Sequence, residues 1–542
     1  IFTAFNNVGP LSPSNFDRHI LYNIDNGDLS YDADGPNPGN PIKFANIGTG
    51  LTINQDDFFI VGETHYPTAV FELSSLQEAN GGDGTEGFLI NGIDVGDKAG
   101  WSVSTAGDIN GDGIADLIIG APEADPGAQS RAGESYVVFG STTPFDAELE
   151  LSELDGSNGF TLNGVTANDF SGRSVSQAGD INGDGIDDLI IGARYGDPNG
   201  QLSAGESYVV FGNNSGFAAT VNLSGLNGSN GFVINGIDAS DRSGFSVSGT
   251  NDVNGDGIDD LIIGARTASP NGSYSGETYV VFGSDAGFNA SLNLATLDGS
   301  NGFVINGINP NDRSGNSVSG AGDINGDGIN DMVIGAPIAE PNGTASGQSY
   351  VVFGSDTRFT PSIELSSLDG VNGFTISGLN EFDILGTSVS DAGDFNDDGI
   401  DDLILGAPGA DPNGSDSGQS YVLFGKTTTF SANLDLADLD GSNGFAVNGV
   451  NPEDALGRAV SAAGDINGDG IDDLIIGAPG DSAIKAGESY VVFGSSEDFG
   501  SEFDLSGLDG SNGFVIRGID EFDRSGASVS GAGDINGDGI DD

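Results

Sequence analysis

The chain contains the stretch Asp108-Ile109-Asn110-Gly111-Asp112-Gly113-Ile114-Ala115-Asp116, and its pattern, Asp-x-Asn-x-Asp-Gly-x-x-Asp, occurs six more times. The further copies begin at Asp180, Asp252, Asp323, Asp394, Asp465 and Asp534, at intervals of 69 to 72 residues. A regular period of this length is typical of proteins built from repeated structural units. The sequence therefore predicts seven copies of one unit, each with an acidic loop.

Four short segments accompany each acidic loop in the same order. In the first unit, residues 101–104 precede the loop, and the apolar residues 117–119 follow it and lead into Gly-Ala-Pro. Residues 136–140, Tyr-Val-Val-Phe-Gly, come next, and residues 159–164, Gly-Phe-Thr-Leu-Asn-Gly, close the unit. Segments rich in β-branched and aromatic residues and bounded by Gly, Asn, Asp and Pro are typical of strands. The pattern predicts an all-β fold, a seven-bladed β-propeller of four-stranded blades. A β-solenoid is the alternative, although its repeats are usually shorter.

These segments resemble FG-GAP repeats, the units of the β-propeller in integrin α subunits. The resemblance rests on the Phe-Gly end of one strand, the acidic loop, and the Gly-Ala-Pro or Gly-Ala-Arg end of another strand, and it covers residues 65–542. It implies that four-stranded blades surround a central axis and that the acidic loop joins the first two strands of a blade. It also implies that partners bind on the face opposite the loops.

Residues 1–64 lack the repeat and are predicted to form a small, separate β-rich module. Residues 17–22, 27–35 and 42–45 resemble the terminal module of hemolysin-type (RTX) proteins, which are exported by type I secretion. The resemblance implies an extracellular or cell-surface protein that leaves the cell by a type I-like route. We therefore expect two domains, an RTX-like module at residues 1–64 and a propeller at residues 65–542.

The seventh repeat is incomplete, because no second or third strand segment follows its acidic loop in this sequence. Residues 69–92 match the later part of a repeat. We therefore expect residues 58–92 to close the ring by completing the seventh blade, so that residues 87–92 share a sheet with residues 528–530. The strand still missing would come from further residues, from the N-terminal module or from a neighbouring chain.

Each acidic loop has the oxygen ligands of a cation site. Asp108, Asn110 and Asp112 alternate with small or apolar residues, so one tight turn can direct their side-chain oxygens toward one point. Glycine at position 6 permits the left-handed backbone of such a turn, the carbonyl of Ile114 can then point inward, and Asp116 completes the set. Hard oxygen ligands on a flexible loop suit Ca²⁺ better than Mg²⁺. Asp, Asn and Gly also form ordinary β-turns, but seven copies in register favour about seven bound Ca²⁺ ions.

The predicted ligands occupy positions 1, 3, 5, 7 (through the backbone carbonyl) and 9 of every loop. They are Asp108, Asn110, Asp112, Ile114, Asp116, Asp180, Asn182, Asp184, Ile186, Asp188, Asp252, Asn254, Asp256, Ile258, Asp260, Asp323, Asn325, Asp327, Ile329, Asp331, Asp394, Asn396, Asp398, Ile400, Asp402, Asp465, Asn467, Asp469, Ile471, Asp473, Asp534, Asn536, Asp538, Ile540 and Asp542.

Another aspartate recurs 11 residues before every loop, at Asp97, Asp169, Asp241, Asp312, Asp383, Asp454 and Asp523. One interpretation is a further ligand or an acidic group on a binding face. We favour the other, a turn or cap in the Asp-x-x-Gly link before the first strand, because Asp and Gly are common in turns.

The net charge of −67, from 82 acidic and 15 basic residues, argues against two classes of partner. Nucleic acids and anionic membranes are bound through clusters of Lys and Arg, which we do not expect in this chain. The sequence has no run of 18 apolar residues, so it predicts no membrane span. A polyanion of this charge density resists compaction unless cations neutralise it, which again indicates calcium.

No catalytic motif stands out from the repeats. The chain has no Cys and only two His, His19 and His65, which excludes thiol nucleophiles and leaves little scope for His acid–base chemistry. We predict a secreted, non-catalytic, calcium-binding propeller for adhesion, cell-surface assembly or matrix and filament assembly, and not an enzyme. Its partner would be a protein or glycan ligand on the face opposite the calcium loops, or neighbouring copies of the chain. The alternative is the substrate-binding or catalytic propeller of a secreted polysaccharide-active enzyme.

Overall fold

The computed structural model describes residues 69–480 and 485–542, together with the backbone of four strands among the first 46 residues. The chain forms two compact units, residues 1–65 and 66–542. In the first unit, Phe2–Phe5 runs parallel to His19–Asn23. Asp28–Asp32 lies antiparallel to His19–Asn23 and to Ile42–Asn46, which completes a four-stranded sheet.

The second unit contains six large sheets, numbered 1 to 6 along the chain, each with four antiparallel strands from one repeat. The first strands are Ser102–Gly107, Ser174–Gly179, Ser246–Asn251, Ser317–Gly320, Val389–Gly393 and Ala459–Gly464. The second strands are Asp116–Ala121, Asp188–Ala193, Asp260–Ala265, Met332–Ala336, Asp402–Ala407 and Asp473–Ala478. The third strands are Glu134–Val138, Glu206–Val210, Glu277–Val281, Gln348–Val352, Gln419–Leu423 and Glu488–Val492. The fourth strands are Gly159–Asn163, Gly231–Asn235, Gly302–Asn306, Gly373–Ser377, Gly444–Asn448 and Gly513–Arg517.

Each of the six sheets also has a fifth strand, three residues long, that comes from another repeat and pairs in parallel with the fourth strand. These fifth strands are, for sheets 1 to 6, Thr220–Asn222, Ser291–Asn293, Ser362–Glu364, Asn433–Asp435, Glu502–Asp504 and Val70–Glu72. In sheets 1 to 5 the strand is donated by the following repeat, whereas sheet 6 receives it from the segment that precedes the first repeat. The prediction of four-stranded blades is therefore incomplete.

The helices that the structure describes are short 3₁₀ turns, and none of them has the length and apolar character needed to cross a membrane. They are Leu73–Leu76, Glu78–Asn80, Pro126–Ala128, Leu151–Glu153, Pro198–Gly200, Leu223–Gly225, Leu294–Thr296, Leu365–Ser367, Leu436–Asp438 and Leu505–Gly507.

The all-β propeller is confirmed, but the prediction of seven blades is wrong, because the described residues form six blades. A blade needs a second and a third strand after its acidic loop, and only six of the seven loops are followed by such segments. At the seventh position, Leu89–Asn91 pairs with Glu148–Glu150 in a sheet of two strands. Residues 528–530 belong to no strand, so they do not share a sheet with residues 87–92. Residues 58–68, the other part of the expected closing segment, lie outside the described residues.

The first strands form the inner layer of the ring, because those of successive sheets pack against one another. Serines at their starts connect neighbouring sheets. Ser102 Oγ donates to the carbonyl of Gly172 at 3.0 Å, and the N–H of Val247 donates to Ser174 Oγ at 3.1 Å. The inner layer continues through the seventh position, where the N–H of Val103 donates to Ser528 Oγ at 3.3 Å.

The hydrophobic core lies between successive sheets. Between sheets 1 and 2, for example, Val137 and Phe160 of sheet 1 pack with Leu189 and Tyr208 of sheet 2, and all four are buried. In sheets 1 to 5 the Phe of the Gly-Phe strand stacks on a ring from the next repeat, as Phe160 does on Phe217 with 4.2 Å between ring centres. Burial of these rings contributes to the cohesion between one repeat and the next.

Candidate metal centre

Each acidic loop is a turn held by its own carboxylates. In the first loop, Asp108 accepts hydrogen bonds from the N–H groups of Asp112 at 2.9 Å and Gly113 at 2.8 Å. Asp112 accepts one from the N–H of Ile114 at 3.0 Å. Gly111 and Gly113 have φ of 74° and 90°, a left-handed conformation that glycine adopts without strain. The structure thus brings positions 1, 5 and 7 of the loop into one turn.

The last aspartate of the loop is buried at the start of the second strand. Asp116 is fully buried, and it accepts hydrogen bonds from the N–H groups of Gly140 at 2.8 Å and Ile109 at 3.2 Å. The side-chain amide of Asn110 donates to both of its oxygens at 3.3 and 3.2 Å. Burial raises the pKa of Asp116 to about 8, and the charges of Asp112 and Asp108 add to the effect. The loop thus places the carboxylates of Asp108 and Asp112 near the buried Asp116, which has no cationic side-chain partner among the described residues.

The same arrangement returns in the other loops. Burial raises the pKa of Asp188, Asp260, Asp331, Asp402 and Asp473 to about 8, and that of the less buried Asp542 to about 6. The carboxylate at position 1 accepts hydrogen bonds from the N–H groups at positions 5 and 6 in every copy, at Asp180, Asp252, Asp323, Asp394, Asp465 and Asp534.

Position 8 carries a function that the sequence analysis missed, because it connects each loop with its neighbour. Asp187 Oδ2, in the second loop, accepts a hydrogen bond from the N–H of Asp108 in the first loop at 2.8 Å. The equivalent pairs are Asp259 with Asp180, Asp401 with Asp323, Asp472 with Asp394 and Asp541 with Asp465. The signal was present in the sequence, since position 8 is aspartate in five of the seven loops.

The two remaining loop pairs are connected through the backbone. Position 8 is Ala115 in the first loop and Asn330 in the fourth. Their N–H groups donate to the carbonyls of Asp534 and Asp252, both at 3.1 Å. The seven loops therefore form a closed ring of contacts although the sheets number six.

The oxygen-rich composition of the loops fits calcium, but the positions of the side chains are not those of a formed metal site. In the part of the chain that the structure describes, no three Asp, Glu, His or Cys side chains have an arrangement that could hold a metal ion. In the first loop the carboxylates of Asp108 and Asp112 face backbone N–H groups, and the amide nitrogen of Asn110 faces Asp116. A dication would supply the positive charge that buried Asp116 lacks, and Asp108, Asn110 and Asp112 are close enough along the chain to turn toward it.

The aspartates 11 residues before the loops support the turn interpretation. Asp312, Asp383, Asp454 and Asp523 each accept a hydrogen bond from the N–H group three residues earlier, at 2.7 to 3.0 Å. The equivalent Asp169 is buried, and burial followed by the charge of Glu206 raises its pKa to about 7.

Comparison with known proteins supports the repeat assignment. The FG-GAP repeat family matches residues 99–138, 171–210, 243–281, 314–352, 386–423 and 456–492. Phosphatidylinositol-glycan-specific phospholipase D of Dictyostelium discoideum is 27% identical over 407 residues, which cover 69% of this chain and 39% of the relative. The protein of the same name from Bos taurus is 32% identical, over 39% of this chain and 25% of the relative. Integrin alpha-5 of Xenopus laevis is 28% identical, over 45% of this chain and 20% of the relative. The matches thus span about two fifths or less of these relatives.

These matches support FG-GAP repeats in the β-propeller and similarity to integrin α subunits, and they correct one prediction. The expectation that the protein is not an enzyme is contradicted, because several relatives carry the name of a phospholipase. The repeats could not reveal this, because residues outside the repeating pattern can carry catalysis. The resemblance of residues 1–64 to RTX proteins stays a prediction.

Proposed function

We propose that this FG-GAP propeller is the calcium-dependent substrate-binding part of a secreted or cell-surface enzyme that acts on a glycan-bearing substrate. The observation that carries the proposal is the match to the Dictyostelium phosphatidylinositol-glycan-specific phospholipase D, which runs through 69% of this chain. A match of that length covers several repeats in order and does not depend on one motif. That this chain takes part in the relative's activity is itself a proposal, since the match covers 39% of the relative's length.

Calcium has a structural role in this proposal. Positions 1, 3, 5 and 9 of each loop would hold the ion with their side chains, and position 7 would hold it with its carbonyl. The ion would supply positive charge beside the buried aspartate and would stabilise the loop. The contacts between loops would extend this stabilisation to the neighbouring sheet, because Asp187 accepts a hydrogen bond from the backbone N–H of Asp108. A rigid ring would then hold the binding face, at the strand ends opposite the acidic loops, in one arrangement.

The test is binding of the whole chain to phosphatidylcholine vesicles of three kinds. One kind carries a glycosylated phosphatidylinositol, one carries phosphatidylinositol without the glycan, and one carries neither. We expect co-sedimentation with the glycan-bearing vesicles in calcium and its loss in excess EGTA, with release of the glycan measured in the same samples. Equal sedimentation with all three vesicle types, or with none, would contradict the proposal.

A second candidate function is adhesion or assembly at the cell surface. It is favoured by the integrin α relatives, which include integrin alpha-5 of Xenopus laevis and integrin alpha-PS5 of Drosophila melanogaster. In that case the same face would bind a protein or a second copy of the chain. Light scattering in calcium and in EGTA separates the two candidates, because calcium-dependent growth of particle size without vesicles supports assembly.

A further inference from the structure

The strand ends opposite the acidic loops carry a group of arginines that the sequence analysis did not expect. We call it the arginine cluster, and it consists of Arg173, Arg194, Arg242, Arg266, Arg313 and Arg458. Two of its members precede first strands, two follow second strands, and two lie in the turns before first strands. Six of the chain's 15 basic residues are thus placed about 20 Å from the acidic loops, the length of a six-residue strand.

The arginines converge although they come from distant repeats. The guanidinium carbons of Arg194 and Arg242 lie 4.8 and 5.1 Å from the centre of the Tyr195 ring, and Arg194 and Arg266 lie near the same Phe245 ring. Burial and the charges of neighbouring arginines together lower the pKa of Arg173 to about 9. The cluster therefore joins residues of different repeats at the ends of the inner strands.

Aromatic rings hold the guanidinium groups flat. The guanidinium carbon of Arg173 lies 4.0 Å from the centre of the Trp101 ring, and that of Arg266 lies 3.8 Å from the Phe245 ring. Arg194 lies 5.1 Å from the same Phe245 ring. A guanidinium that stacks on a ring keeps its N–H donors free at its edge, in the geometry that matches an oxyanion.

No ion pair among the described residues joins a carboxylate to the cluster. The ion pairs among the described residues involve Lys98, Arg358, Lys485 and Arg517, and none of them includes an arginine of the cluster. The Nε atoms of Arg194, Arg242, Arg266 and Arg313 are buried without a hydrogen-bond partner, although Nη1 of Arg266 donates to Asn316 Oδ1 at 2.8 Å. In a chain with 82 acidic residues, guanidinium groups without an acidic partner need a counter-charge from elsewhere.

We propose that the arginine cluster binds the oxyanion group of a small acidic saccharide, with the phosphate, sulfate or carboxylate held by several guanidinium edges. The inference rests on the proposed function, which supplies the binding face. It adds the chemistry of the ligand that is bound there. Long polyanions such as nucleic acids do not fit, because the net charge of −67 repels them beyond the cluster.

Trp101 gives a direct measurement, because it is the one Trp in the sequence and Arg173 stacks on it. The whole chain, in calcium and at constant ionic strength, is titrated with sodium sulfate, glucose 6-phosphate and glucuronate while the Trp fluorescence is recorded. Glucose and sodium chloride are the neutral and ionic-strength controls. We expect a saturable change with the acidic sugars. Equal affinity for sulfate would identify the free oxyanion as sufficient, and tighter binding of an acidic sugar would show that the saccharide contributes.

The natural repeats provide a variant that should keep the fold. Pro122, Pro337 and two further prolines occupy the positions equivalent to Arg194 and Arg266. The double variant R194P/R266P should weaken binding at least tenfold. The matched control R358Q/R517Q removes two exposed arginines outside the cluster and should stay within twofold of the wild type. A second double variant, R194Q/R266Q, covers the case in which proline disturbs the fold.

Two results would overturn the inference: no saturable change with any of the three anions, or equal weakening by the cluster and control variants. The result is separable from that of the proposed function. Loss of vesicle binding with intact anion binding contradicts the proposed function alone, whereas vesicle binding that survives R194P/R266P contradicts the inference alone.

Discussion

The two ends of the inner strands differ in how closely their residues are repeated from one unit to the next. After these strands, all seven loops share one pattern of acidic residues, and each loop contacts the next in a closed ring. Before them, the equivalent residues vary from repeat to repeat, being Trp101, Arg173, Phe245, Asn316, Thr387, Arg458 and Ala527. An interaction needed between every pair of neighbours must be present in every repeat. A site that occurs once allows each repeat to contribute a different residue.

The largest effect on stability should come from removing calcium from the acidic loops. A ligand that binds only the folded state stabilises it by about 2.7 kcal/mol per site at 100 times its dissociation constant. With seven loops, excess EGTA should lower the melting temperature by on the order of 10 to 20 °C. Differential scanning calorimetry in calcium, magnesium and EGTA measures the shift. An unchanged melting curve in EGTA would show that the loops are turns without a metal.

A substitution at the buried position of one loop should have the next largest effect. In D260A, the buried N–H groups of Gly283 and Val253 lose their acceptor, which now lies at 2.9 and 3.0 Å. Each unpaired group costs about 1–3 kcal/mol, so the free energy of unfolding should fall by roughly 3 kcal/mol.

The matched variant is D256A in the same loop, where the exposed carboxylate accepts a hydrogen bond from Ile258. With both variants compared in EGTA, where calcium contributes to neither, D256A should cost about 1 kcal/mol. In calcium, native mass spectrometry should show one ion fewer in both variants. Equal loss of stability in urea unfolding would contradict the assignment of position 9 as the buried anchor.

At the strand ends opposite the acidic loops, Asp169 should make the stability of the protein depend on pH. Its folded pKa of about 7 lies above the ordinary value of 3.8 because of burial and the charge of Glu206. Between about pH 4 and 7 the folded carboxyl holds a proton that the unfolded chain has released. The wild type should therefore lose up to about 1.4 kcal/mol of stability per pH unit as pH rises through that window. D169N cannot titrate, so its stability relative to the wild type should increase over the same range.

The control for this pH effect is D312N, because Gln348 stands where sheet 2 has Glu206. We expect a smaller pH dependence for D312N than for D169N in urea unfolding with saturating calcium. A difference between D169N and wild type that stays constant with pH would contradict the raised pKa.

The smallest expected effect concerns the contact between loops. D187A removes the acceptor of the hydrogen bond from the Asp108 N–H, now 2.8 Å long, and should cost about 1 kcal/mol. N330A serves as its control, because at Asn330 the loops are connected through the backbone N–H, and it should change stability by less than about 0.5 kcal/mol. If the two variants are equally stable in urea unfolding, position 8 does not connect the loops.

The repeat itself made much of this molecule predictable. Strand segments such as residues 117–119 and 136–140 alternate with turns at a constant period, and the structure has strands at Asp116–Ala121 and Glu134–Val138. The loop at Asp108 was predictable for the same reason, since its residue types follow from the turn that they form. The identity of the bound ion stays a prediction, because the carboxylates lie against backbone N–H groups.

Features that depend on distant contacts could not be predicted from one repeat. The number of blades was overestimated because acidic loops were counted, whereas a blade requires the strands that follow. The fifth strand was missed because a three-residue segment such as Thr220–Asn222 has no visible partner within its own repeat. The arginine cluster was missed because Arg194 and Arg266, which lie near the same Phe245 ring, come from different repeats and meet only when the sheets pack together.

The parallel pairing of Val70–Glu72 with Gly513–Arg517 has a consequence for biosynthesis. The two strands are separated by more than four hundred residues, and Arg517 and Glu72 also form an ion pair at 3.3 Å. The earlier strand is therefore synthesised long before its partner exists and must wait with an unpaired edge, which is a site of mispairing. Native assembly of sheet 6 is then a late event that follows the last repeat, and slow formation is expected of contacts so distant along the chain. A cell that makes this protein has to protect one short segment for the whole time that the ring is being translated.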